Sequence, residues 1–396
     1  MDDCAVDVDV GEDLVARARA LRPLLLRNAP LSERRGELTP EVMTALVEAD
    51  LFKMCVPRRW GGLCVSANAM ARVVAELGRG CPSTGWVVTV MNTTVWRVSM
   101  MSDETQEDIF AKGVPLVSGV AVPPGRARPV EGGYLVETGR WPYASGSHHA
   151  EILHAPIRIE GIKGAAPLAI FPVSDLTIEP SWNAAGMKAT GSDTVVATNV
   201  YVPAHRVPFF VKPFDYGADT RKHVGELSDY WTALPLMRTK SLGVLLGCAE
   251  GLLDYVCAGL TDKPLLFTDY RRRGDSHVFV TQVGRAAAKL AAVRTMMDQM
   301  THAIDAAALT RRDMQPEDRA ANRGQMALAI DLLTEAVEML MTAAGSSAYY
   351  DSCDAQRFWR DFSIASRHIS LLPDPGYEVY GRSILGEPHA MKLDYT

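Results

Sequence analysis

The residue best suited to moving a proton near neutral pH is His368, in the run RHISLLPDPGYEVYGRSILG (367–386). It follows the pair Arg360–Asp361, and no Asp or Glu stands between Asp361 and Asp374. An imidazole titrates close to working pH, so it can give or take a proton where a permanently charged carboxylate cannot. A lone histidine is otherwise an ordinary structural residue. Ser145, in GRWPYASGSHHAEI (139–152), offers a hydroxyl able to direct one hydrogen bond. On a strand the two-residue period puts Trp141 and Tyr143 on one face, where they can pack on a flat ring or gate a site. His148 and His149 follow at the expected strand end. Asn92, in VTVMNTTVW, can donate and accept hydrogen bonds but cannot take a proton. Ser118 and Gly119 lie in the run LVSGVAV.

These residues must be positioned by three kinds of segment. From Val10 to Phe110 apolar residues recur at helical spacing, and Thr39 before Pro40 reads as an N-cap followed by a first-turn proline. After Gly113 the pattern becomes β-branched and alternating (VPLVSGVAV, GGYLVETG, HAPIRIEG, PLAIFPV, VVATNVYVP), punctuated by Gly, Pro and Asn. A charged and aromatic loop, 212–231, leads to long amphipathic runs, notably Val278–Ala308 and Arg319–Ala344. The expected units are a helical domain over 1–113, a β domain over 114–211 and a C-terminal four-helix bundle over 212–396.

Composition narrows the function. The chain has 396 residues, is 47% hydrophobic and carries a formal net charge of -6. That balance builds a large core and argues against nucleic acid, whose binding needs clustered cations; the run Arg271–Arg273 reads as a solvated loop or helix end. The acidic N-terminus resembles no export signal, and the most apolar stretch, Ser241–Leu253, is too short to span a bilayer. A cytoplasmic protein without membrane contact is expected. The seven cysteines form no CxxC pair or zinc-type cluster and read as buried small hydrophobes, and no metal is expected. The absence of a GxGxxG motif argues against NAD(P)H binding by this chain.

Five stretches in order resemble the acyl-CoA dehydrogenase superfamily: VPRRWGG (56–62), ELGRGCPSTGW (76–86), GRWPYASGSHHAEI (139–152), WNAAGMKATGSDTVVATNVYVP (182–203) and RFWRDFSIASRH (357–368). The resemblance implies helices, a central β-barrel or sandwich and a four-helix bundle, assembled as a homotetramer. Many dehydrogenases of the superfamily carry a catalytic Glu nine residues after the Arg of the Arg-Asp pair, which here is Ile369. The segment from Arg367 onward instead resembles the two-component flavin-dependent monooxygenases, in which a His sits in the corresponding helix.

That resemblance implies reduced flavin, FMNH2 or FADH2, delivered by a separate reductase, and hydroxylation of a small aromatic or polycyclic substrate through a flavin hydroperoxide. It makes His368 the acid/base and Ser145 the partner of flavin N5. Trp141, Tyr143, Ser118, Gly119 and Thr190 become flavin contacts, and Asn92, Ser118 and His368 face the substrate. For the flavin phosphate it points to Lys263, with hydroxyls and amides of Thr190, Gly191 and Ser192. An acyl-CoA dehydrogenase-type flavoprotein or an N-oxygenase acting on an amine are the alternatives.

Overall fold

The computed structural model describes residues 8–164, 166–208, 224–262, 264–389 and 391. Cys4, Lys263 and residues 212–223 of the charged loop lie outside them.

The first hundred residues form five helices: α1 (Val8–Arg35), α2 (Pro40–Glu48), α3 (Ala67–Gly80), α4 (Pro82–Ser99) and α5 (Asp103–Phe110). The expected cap is in place, since Thr39 Oγ1 accepts from Val42 N–H at 3.3 Å and Pro40 opens α2. Ser66 and Ser102 cap α3 and α5 in the same way. ELGRGCPSTGW spans two helices, because Cys81 is extended and Pro82 restarts the chain as α4. VPRRWGG forms a tight turn that docks elsewhere: Trp60 stacks on Phe110 at 5.5 Å, and Arg59 pairs with Asp229 at 2.8 Å.

The middle of the chain is a seven-stranded sheet: β1 (Val117–Gly119), β2 (Gly125–Val130), β3 (Gly133–Trp141), β4 (Ile152–Ile159), β5 (Leu168–Pro172), β6 (Thr177–Glu179) and β7 (Thr194–Pro203). The order is β1-β4-β2-β3-β7-β6, with β5 on β4; β4 runs parallel to β1 and β2, and the other pairs are antiparallel. β3 and β7 pair from Gly133↔Pro203 to Trp141↔Val195. Their far ends release the two turns that build the candidate site.

Three long helices follow, α6 (Ala233–Asp262), α7 (His277–Leu309) and α8 (Pro316–Ala344), with the shorter α9 (Asp354–Ala365) and α10 (Pro373–Leu385) packed on them. The expectation for Ser241–Leu253 needs correction. It is the middle of a 30-residue helix, and Ala233–Gly259 is long and apolar enough to cross a membrane by composition alone. Here that helix is a core element, because Gly243, Gly247 and Gly251 recur every fourth residue on one face. A Cβ on them would lie 2.5, 2.0 and 2.7 Å from the carbonyl oxygens of Ala71, Ala75 and Arg79. Such spacing lets the backbones of α3 and α6 meet directly and buries this face of α6 against protein.

The described cysteines are free; Cys55, Cys64, Cys81 and Cys248 are buried, while Cys257 is exposed. Arg271 and Arg272 are exposed. Arg273 instead turns back to donate to the Ala344 carbonyl at 2.8 Å at the end of α8.

Candidate active site

Two turns face one another beyond the last β3–β7 pair. Ala144 N–H donates to the Asp193 carbonyl at 3.1 Å and Gly146 N–H to the Thr190 carbonyl at 2.7 Å, so the 144–146 turn is laid on the 190–193 turn. Tyr143, Gly146, Met187 and Gly191 all have positive φ. For Tyr143 and Met187 that conformation is unfavourable and persists only because the surroundings impose it.

Between the turns runs a chain of hydroxyls. Ser145 Oγ lies 2.7 Å from Ser192 Oγ, which lies 2.6 Å from Thr190 Oγ1, which donates to the Met187 carbonyl at 2.8 Å. All three side chains are buried. Ser118, at the middle of β1, donates to the Ser145 carbonyl at 2.9 Å and so fixes the turn from behind. Asp193 binds three donors: Ser181 N–H at 2.6 Å, Trp182 N–H at 2.8 Å and His148 Nε2 at 2.7 Å. Burial works to raise its pKa, but these partners outweigh it and hold the carboxyl below its usual value.

The Arg-Asp pair of α9 anchors the far end of this assembly. The buried Asp361 accepts from Met187 N–H, and Arg360 binds the Ala185 carbonyl and pairs with Glu33 at 2.6 Å. Gly186 passes so close that a Cβ there would lie 2.3 Å from the Arg360 carbonyl oxygen. Burial pushes the Asp361 carboxyl up to about 6.

Helix α4 joins these turns to His368. A Cβ on Gly146 would lie 2.8 Å from Met91 Cε and 3.1 Å from Val87 Cγ1, so the 145–146 turn rests on that face of the helix. One residue earlier, Trp86 meets the His368 ring edge-on at 5.6 Å. His368 itself lies past the end of α9, in the turn before α10, which corrects its expected placement within a helix. Its Nδ1 is 2.7 Å from Ser370 Oγ. The residue keeps an exposed edge in the single chain, yet the protein around its ring desolvates it enough to lower its pKa from the ordinary imidazole value.

Several expected site residues lie elsewhere. Trp141 is wholly buried in the β-domain core, its Nε1 bonded to the Pro156 carbonyl at 3.1 Å and its ring packed on Phe171 at 5.1 Å. Tyr143 lies beyond the end of β3, is 69% exposed and meets Trp182 edge-on. The two share neither strand nor face, because the positive φ at Tyr143 breaks the alternation. Asn92 is fully buried; its Nδ2 donates to Leu51 and Val88 carbonyls at 2.8 and 2.9 Å, and its Oδ1 accepts from Cys55 N–H. It holds the 51–55 turn, with both Nδ2 hydrogens engaged and no exposed surface. Gly119 abuts Thr94 and Arg97 of α4. Thr190 and Ser192 use their hydroxyls on one another, on Ser145 and on the Met187 carbonyl. His148 is tied to Asp193 rather than being a free strand-end residue.

Two features were not anticipated. Asp361 acts on the hairpin, accepting from Met187 N–H, and its sequence signal is the Arg360–Asp361 pair. Lys240 of α6 is fully buried and donates to Thr93 Oγ1 on α4, burial lowering its pKa to about 8. A separate cavity of about 330 Å³, between Leu234, Arg238, Arg319 and Val379, contains none of the residues named for the site. No cluster of potential metal ligands occurs among the described residues. A buried serine oxygen, an imidazole and an indole suit a flavin ring and an uncharged organic molecule.

Comparison with known proteins agrees with this chemistry. A family model for the acyl-CoA dehydrogenase N-terminal domain matches residues 18–114, and one for the C-terminal domain matches 241–373. The chain is 29% identical over 382 residues to a pigment production hydroxylase of a Rhodococcus species, covering 95% of this chain and 97% of that protein. It is 27% identical to the oxygenase component of an FADH2-dependent resorcinol hydroxylase of a Rhizobium species, covering 94% of each. Among solved structures, XiaF from a Streptomyces species, in complex with FADH2 and glycerol, superposes with a TM-score of 0.91 at 27% identity, covering 97% of this chain and 98% of that one.

Proposed function

The chain belongs to the acyl-CoA dehydrogenase superfamily, on its branch of two-component flavin-dependent monooxygenases, and on that premise we propose that it hydroxylates a small aromatic or polycyclic substrate. It works as the oxygenase component, with reduced flavin supplied by a separate reductase. When bound, the reduced flavin supplies the electrons that activate molecular oxygen. The protein's part is to orient, to exclude water and to handle protons.

Ser145 faces flavin N5 in this reading, held by Ser118 from behind and by Ser192 at its side. Ser370 N–H donates to His368 Nδ1 at 3.3 Å and Ser370 Oγ lies 2.7 Å from the same nitrogen, so the neutral ring carries its hydrogen on Nε2 and offers it as the acid facing the reacting oxygen. Burial lowers its pKa and so favours this neutral, Nε2-protonated ring. Trp86 supplies the flat apolar wall beside it. The reading is carried by His368 itself, packed on Trp86 of the same helix α4 that carries the 145–146 turn, with no acid following Asp361 until Asp374. Ile369, 66% exposed, stands where many dehydrogenases of the superfamily carry their base, and an isoleucine cannot take a proton. The oligomer is a homotetramer.

Reaction under labelled oxygen, with a flavin reductase and a panel of phenols and polycyclic phenols, tests the function. Wild-type enzyme is expected to place one 18O atom in the product, and His368→Asn to lower that rate roughly 100-fold. No label in any product, or a variant as fast as wild type, would refute the assignment.

A further inference from the structure

The hydroxyl chain at Ser145 has only one possible direction. Two oxygens 2.6–2.8 Å apart repel unless a hydrogen lies between them. The chain contains three such contacts and three hydroxyl hydrogens, one each on Thr190, Ser192 and Ser145. The Met187 carbonyl has no hydrogen, so the Thr190 hydrogen must point at it. Thr190 then has none for Ser192, so Ser192 donates to Thr190; Ser192 in turn has none for Ser145, so Ser145 donates to Ser192. The backbone carbonyl at one end thus dictates that Ser145, at the other, offers only lone pairs to anything beyond the chain.

We propose that Thr190 and Ser192 are positioning residues that make Ser145 an obligate hydrogen-bond acceptor, so that the site selects reduced over oxidised flavin. The inference rests on the reading that Ser145 faces flavin N5. Reduced flavin carries a hydrogen on N5 and needs an acceptor there; oxidised flavin carries only a lone pair on N5 and needs a donor. A serine free to rotate serves both forms equally. A serine whose hydrogen is already used serves only the reduced form and meets the oxidised form lone pair to lone pair. An oxygenase supplied with reduced flavin from elsewhere needs this discrimination, because spent flavin must leave before the next reduced molecule binds. Asp361 supports the arrangement by fixing Met187 N–H, and with it the carbonyl that terminates the chain.

The test is equilibrium binding, without turnover. Dissociation constants of oxidised FMN and FAD, and anaerobically of their dithionite-reduced forms, are measured by quenching of tryptophan fluorescence. Wild type is expected to prefer reduced flavin by tenfold or more. In Ser192→Ala the Ser145 hydrogen loses its acceptor and turns outward, so oxidised flavin binds better and the preference shrinks about tenfold. Thr190→Val does the same by leaving the Ser192 hydrogen free to point at Ser145, and Thr190→Ser restores the wild-type ratio. Ser145→Ala brings the ratio close to one.

If Ser145→Ala leaves both affinities unchanged, Ser145 does not face N5, and the inference falls with the reading beneath it. If Ser145→Ala removes the preference while Ser192→Ala and Thr190→Val keep it, the N5 reading stands and the polarity inference is overturned. Parallel weakening of both forms in Ser192→Ala and Thr190→Val, with the ratio intact, also overturns it, since damage to the fold does not discriminate between redox forms.

Discussion

A carboxylate without water around it is costly, and Asp361 shows how the cost is met. Burial raises its pKa, while Met187 N–H, Arg360 and Arg357 act in the opposite direction, leaving it at about 6. The unfolded value is about 3.9, so the native state binds this proton more tightly than the unfolded one. The resulting stabilisation is complete below pH ~4 and is lost as the pH rises through 6, a change of about 3 kcal/mol. Asp361→Asn keeps an oxygen for Met187 N–H but cannot ionise. Its unfolding free energy should therefore lack this decline between pH 4 and 7, and parallel urea-unfolding profiles for the two proteins would contradict the account. At this scale the sequence was informative about residue type and poor about partner. His368 and Ser145 were picked out by chemistry and order, whereas Asn92 looked equally available and is bound to Leu51, Val88 and Cys55. Whether a polar side chain is free depends on what folds against it.

The contact of α3 with α6 supports everything the site stands on, since α3 leads directly into α4. Its closeness depends on α6 carrying no side chain at every fourth position. Gly247→Ala would set a Cβ 2.0 Å from the Ala75 carbonyl oxygen and should cost roughly 1–3 kcal/mol. Gly259→Ala, on the same helix but with nothing within 4 Å of its Cβ, should be neutral or stabilising by up to about 1 kcal/mol. Urea midpoints for the pair check this; equal losses would show that packing between the helices is not the cause. Elements with strong periodicity were legible beforehand: Val278–Ala308 became His277–Leu309, and Arg319–Ala344 became Pro316–Ala344. The stretch after Trp141 was not, because alternation there is ended by a positive φ at a tyrosine, which pattern alone does not signal.

Over the whole molecule, apolar side chains remain exposed near the end of α10. Ile384 is 69% and Leu385 76% exposed, with Tyr380 and, on the adjacent α8, Leu328 also uncovered. Apolar surface of this kind suits a contact between subunits. The proposed homotetramer should appear in sedimentation velocity, and Ile384→Asp combined with Leu385→Asp should shift it towards smaller species; a wild-type monomer would refute the assembly.

Taken by itself, the sequence determined the succession of helices, strands and helices and the family, and it named His368 and Ser145 as the proposed reactive side chains, because these readings depend on local periodicity, composition and ordered motifs. Only the tertiary structure decided which polar groups are free. It took Trp141 into the core, tied Asn92 to a turn and moved His368 beyond its helix. It also aligned three hydroxyls from two distant segments into a chain whose direction is set by one backbone carbonyl. The direction of a hydrogen bond depends on the count of donors brought together in space, and spacing along the chain carries no record of that count.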